Sequence, residues 1–105
     1  MIKVNVYESR KLLKLEISGH AGYAESGKDI ICSAVSVLSI NLVNSLEKFT
    51  KDKFFCDIKE DSGDLRLEVE SPGESAKLLF NSCVLGLENI SEEYGRRYLS
   101  LTYAP

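Results

Sequence analysis

The chain has no tryptophan, a single histidine, two prolines and three cysteines. One histidine and an odd number of cysteines, none of them in a C-x-x-C pair, suggest neither a zinc site nor a disulfide framework. No metal and no cofactor are expected, and the setting reads as reducing and cytoplasmic. A basic excess is lacking too: 13 Lys and Arg stand against 16 Asp and Glu, a formal net charge of -3. Direct nucleic-acid binding is therefore not expected, and a basic peptide segment suits the surface better. The opening MIKVNVYESR alternates instead of forming an apolar block, so no signal peptide is expected. No segment reads as long enough to span a bilayer, and no membrane partner is expected. Repeats, low-complexity tracts and linkers are also missing, so residues 1–105 read as one domain.

What is present is a change of period. Ile2, Val4 and Val6 alternate with Lys3, Asn5 and Tyr7, and Leu13, Leu15 and Ile17 repeat the alternation after the turn around ESRK, predicting a hairpin. From Ile31 the spacing becomes helical: Val35, Leu38, Leu42, Leu46 and Phe49 form one apolar stripe, with Asp29 as the N-cap. Phe54, Cys56 and Ile58, then Leu65, Leu67 and Val69, predict a second hairpin around the turn EDSGD. SPGE at 71–74 reads as a capping box, with Ser71 as cap and Pro72 at the first helical position. Ala76, Phe80, Cys83, Leu87, Ile90 and Tyr94 trace a second helix, and Leu99, Leu101 and Tyr103 a last strand. The order β-β-α-β-β-α-β predicts an α+β two-layer sandwich, a mostly antiparallel or mixed sheet with two helices packed on one face.

Two residues in this layout can carry chemistry. His20 ends the second strand, and Cys32 falls in the first turn of the first helix. Free N–H groups and the helix dipole favour a thiolate there, lowering the thiol pKa, and the same N–H groups could receive an oxyanion. A histidine brought alongside could shuttle the proton. A helical cysteine is also commonly a small buried hydrophobe, and a lone histidine polar surface, so the spacing leaves both readings open. Cys56 and Cys83 fit core packing. In the connecting loop AGYAESGKD, Gly22 and Gly27 permit unusual backbone angles. The loop reads either as a lid over a bound peptide, with Tyr23 and Ser26 in reach of substrate, or as a simple connection.

GHA, followed after a loop of this length by G-x-D-I-I-C-S-A-V-S, resembles the defining pattern of the ribosomal-processing cysteine protease family, called Prp. Chain length, element order and the acidic second helix ending in SEEY are similar as well. The resemblance implies a cytoplasmic bacterial endopeptidase that removes the N-terminal extension of a large-subunit ribosomal protein, number twenty-seven. Its cleavage follows a hydrophobic stretch ending in paired phenylalanines. It implies Cys32 as nucleophile and His20 as general base and acid, with Asp29 orienting the histidine. Ser36, one turn after the nucleophile, would lend a hydrogen bond near the site. The loop from Gly22 to Lys28 would rearrange on substrate, and the protein would be a homodimer. Ser33 stands where the family often has alanine, a change that removes no catalytic group. The competing reading is a non-catalytic ribosome-assembly or peptide-binding module.

Overall fold

The computed structural model describes residues 1–25, 29–59 and 61–104. The alternating segments form strands β1 (Ile2–Glu8), β2 (Leu12–Ser18), β3 (Phe54–Ile58), β4 (Leu65–Glu70) and β5 (Leu99–Ala104), and the two stripes form helices α1 (Ile30–Phe49) and α2 (Glu74–Tyr94). The sheet runs β3-β4-β2-β1-β5. All pairings are antiparallel except β1 with β5, so the expected mixed sheet is what forms. Register explains why one face is apolar: Cys56, Leu67, Leu15 and Val6 stand side by side across four strands, and Ile58, Leu65, Ile17 and Val4 form the next row. Because side chains alternate with period two, any one-residue slip would turn these rows to solvent.

Both helices cover that face. Ile31, Val35, Leu42 and Leu46 of α1 and Ala76, Phe80 and Leu87 of α2 are buried in one core with the strand rows. The helices approach closely where Gly86 meets Leu38: a Cβ at Gly86 would lie 2.9 Å from a Leu38 methyl. The Ser91 hydroxyl donates to the Leu99 carbonyl at 2.8 Å and ties α2 to β5.

Several local expectations fail. Phe49, counted in the α1 stripe, is 67% exposed, because the stripe has drifted off the sheet by the last turn. Ser71 is not a helix cap: it has φ 47°, its N–H donates to the Lys11 carbonyl at 2.8 Å, and α2 starts two residues later than Pro72. Gly73 is the N-cap, and its N–H is taken by the Asp52 carboxylate at 3.0 Å, a partner from the α1–β3 connection that no local motif announces. Ile58 and Tyr103 lie on the predicted strands, yet both remain exposed because β3 and β5 are the sheet edges. Finally, α1 is long and apolar enough, by length and composition, to cross a membrane, contrary to the expectation that no segment is. It carries no charge from Ile30 to Leu46, and here its stripe is packed on the sheet.

Candidate active site

The end of β2, the start of α1 and the β3–β4 turn meet at one end of the sheet. Pairing of Ile17 with Leu65 brings the residues after β2 beside the turn before β4. Gly19 seals the junction: its N–H donates to the Asp64 carboxylate at 3.3 Å. Its φ of 88°, and a Cβ position that would collide with the Met1 carbonyl oxygen, exclude any larger residue without rearrangement. Between these elements lies a cleft of about 210 Å³, with Ile2, Ile17 and Val35 beneath it. His20, Cys32 and Ser36 line it together, opposite Asp61–Gly63. A larger depression of about 360 Å³ between α2 and β5 is lined by Glu88, Glu92, Arg96 and Tyr103, without cysteine or histidine.

Asp29 organises the start of α1, as its N-cap role predicted. One carboxylate oxygen accepts from the N–H groups of Ile31 and Cys32 at 3.0 and 3.1 Å, and the other accepts from Tyr23 N–H at 3.1 Å. The carboxyl is 8% exposed. Burial alone would raise its pKa, but the N–H donors of Cys32, Tyr23 and Ile31 outweigh burial and hold it below the usual 3.8. All three of these bonds go to backbone. Among the described residues no hydrogen bond joins Asp29 to His20, so its visible work is to cap the helix and tie down the loop, not to orient the imidazole.

Cys32 is half-buried, and its Sγ accepts from the Ala21 N–H at 3.4 Å. The expected lowering of its pKa is not met. Burial pushes the thiol above its ordinary value, the Asp29 carboxylate adds to that, and the Ala21 N–H opposes it only in part. At the helix start the Asp29 carboxylate accepts the Ile31 and Cys32 N–H groups. The same capture removes the Ile31 and Cys32 N–H groups as free oxyanion donors.

His20 is exposed, and among the described residues no hydrogen bond links it to Cys32. Ser36 is also exposed, one turn along α1 on the Cys32 side of the cleft, and no bond from its hydroxyl to Cys32 is seen among the described residues. Gly22 has φ 68°, bearing out a glycine requirement in the loop. Tyr23 is 41% exposed and lies against Tyr94 and Tyr98, not over the cleft lining. Ser26 and Gly27 lie outside the described residues. Cys83 is buried and Cys56 half-buried on β3, as their core assignment required. Among the described residues no group of three His, Cys, Asp or Glu could hold a metal.

Asp61–Gly63, Asp64 and Ile2 were not anticipated at the site. EDSGD signals a turn, but only the strand register shows which loop that turn faces.

Known proteins resemble this chain over nearly its whole length. Residues 1–99 match the family model for cysteine protease Prp. The Bacillus subtilis ribosomal processing cysteine protease Prp is 29% identical, the match covering 90% of each chain. The Mycoplasma genitalium protein of the same name is 30% identical over 90% of this chain and 88% of its own. Among solved structures, Staphylococcus aureus Prp with a covalently linked product peptide superposes with a TM-score of 0.92 at 24% identity, over 99% of this chain and all of that one. A Streptococcus mutans structure gives 0.79 at 31% identity, over 98% and 93% of the two chains. With the family model matched across nearly the whole chain, this protein belongs to the cysteine protease Prp family.

Proposed function

We propose that this cysteine protease is a ribosomal-processing endopeptidase that removes the N-terminal extension of large-subunit ribosomal protein twenty-seven. The name shared by its relatives supports the processing role. The observation that carries the site assignment is that Cys32 and His20 line one cleft at a helix start. His20 acts as general base: it takes the Cys32 proton, and the sulfur attacks the scissile carbonyl carbon. The protonated imidazole then gives its proton to the leaving amine as the C–N bond breaks, leaving a thioester on Cys32. Water attacks that thioester, His20 accepts the water's proton, and the carboxylic product departs as the thiol is restored. A thiol held above its ordinary pKa favours this base-assisted route over a resting ion pair. Asp29 supports the site through the backbone of Cys32 and Tyr23, and Ser36 and the Gly22–Gly27 loop meet the substrate.

The same reading has the enzyme acting in the cytoplasm as a homodimer. Its outer helix faces expose Val37, Ile40, Leu78 and Leu85, which suits a covered surface.

The test incubates the host's extended ribosomal protein with wild type, Cys32→Ala and His20→Ala, and follows intact mass. One N-terminal truncation by wild type alone is expected. Truncation by Cys32→Ala overturns the nucleophile, and an extended substrate left whole by wild type overturns the substrate.

A further inference from the structure

The N–H aimed at the sulfur belongs to a segment held by residues at and just after the end of α2, distant in sequence. Ala21 has its methyl in the core, 4% exposed, and its N–H on Cys32 Sγ at 3.4 Å. Two residues later Tyr23 leaves the cleft, the chain turning through Gly22 at φ 68°. The Tyr23 ring packs edge-on against Tyr94, the last residue of α2, with centroids 5.7 Å apart and planes at 81°. It packs likewise against Tyr98 at 5.1 Å and 77°. Both partners are fixed. Tyr94 closes a helix, while the Tyr98 N–H donates to the Gly95 carbonyl and its own carbonyl accepts from Ile2 N–H at 2.8 Å. The Arg97 guanidinium covers the Tyr98 ring at 4.7 Å. The Tyr23 backbone N–H is in turn held by Asp29, whose other oxygen accepts the Cys32 N–H.

We propose that Tyr23 is a positioning residue for the nucleophile: seated on Tyr94 and Tyr98, it holds the Ala21 N–H against Cys32 Sγ and so stabilises the thiolate. Edge-to-face packing gives the ring a preferred seat, so the backbone on either side of it is placed as well as held. An N–H donated to sulfur favours the charged form, and losing it moves the thiol pKa up. Among the described residues, the charged and titratable groups around Cys32 are Asp29 at the N-cap of its helix, His20 after β2, Asp61 in the β3–β4 turn and the amino group of Met1 before β1. Of these only Asp29 touches the segment, through the Tyr23 N–H, and neither a Tyr23 nor a Tyr98 substitution removes a charge.

This inference rests on Cys32 as nucleophile, but its test does not use cleavage. The rate at which iodoacetamide alkylates Cys32 in the full chain is followed against pH by peptide mass, with folding checked by thermal melting. Tyr23→Ala is expected to raise the midpoint by about one pH unit, a roughly tenfold loss of thiolate at neutral pH. Tyr23→Phe keeps the ring edges and retains the wild-type midpoint. Tyr98→Ala, which removes the ring that seats Tyr23, reproduces the shift, and the double variant adds little to either. A folded Tyr23→Ala with the wild-type midpoint overturns the proposal, as does a Phe variant that shifts like Ala. Cleavage by Cys32→Ala would overturn the nucleophile assignment while leaving this alkylation profile intact, so the two failures are separable.

Discussion

Replacing Asp29 with alanine removes three backbone partners at once. Loss of an N-cap of this kind costs about 1 kcal/mol, and loss of the Tyr23 N–H acceptor about 1 kcal/mol more. For a domain of this size each kcal/mol moves the thermal midpoint by roughly 4–5 °C, so Asp29→Ala should melt about 9 °C below wild type at pH 7. Asp29→Asn keeps the oxygen that accepts from Ile31 and Cys32 but sets an amide N–H₂ against Tyr23 N–H, and should lose about half as much. The pH dependence has a definite sign. The folded carboxyl titrates below its ordinary 3.8. Its stabilisation is therefore complete above that value and is lost as pH falls through the lower, folded value. The gap between wild type and Asp29→Ala, measured by calorimetry at pH 7, 5, 4 and 3, should hold across the first three and narrow at the last. A gap under about 0.5 kcal/mol at pH 7, or one that stays constant into acid, would refute the assignment of these bonds as the source of the stability.

Three further outcomes follow from the structure. Gly19→Ala drives a Cβ into the Met1 carbonyl oxygen at positive φ, whereas Gly63→Ala, also at positive φ, enters open space. Chemical denaturation should show a loss of roughly 2–4 kcal/mol for the first and about 1 kcal/mol for the second; equal losses would mean that contact with Met1 is not what fixes Gly19. Burial pushes the Cys83 thiol up to about 11, so alkylation at pH 8 should label Cys32 and spare Cys83 until the protein unfolds. Cys32 labelling should keep accelerating above pH 9, since its own pKa lies above the ordinary 9.0; a plateau below pH 8 would contradict the burial and the neighbouring Asp29 charge that raise it.

Much of the frame was legible because it depends on periodicity. Alternation at Ile2–Val6 and Leu13–Ile17, and the three-to-four spacing from Ile31 to Leu46, each have one structure that buries their apolar side, and all seven elements formed where the pattern put them. Asp29 as cap was legible too, since its partners lie two and three residues away. The SPGE capping box failed because Lys11 and Asp52, distant in sequence, supply the bonds that position Ser71 and Gly73.

Local sequence also determined that a histidine would end β2 and a cysteine would start α1. Tertiary structure decided what surrounds them. The turn at Asp61–Gly63 faces the cleft only because Ile17 pairs with Leu65. The thiol is raised because helix packing half-buries it and the Asp29 carboxylate sits beside it. Tyr23 rests on Tyr94 and Tyr98, about seventy residues away, because the chain after α2 returns to the start of β1, where the Tyr98 carbonyl accepts from Ile2 N–H. Periodicity and capping act over a few residues and can be read along the chain; desolvation and long-range hydrogen bonding exist only once the chain has closed on itself.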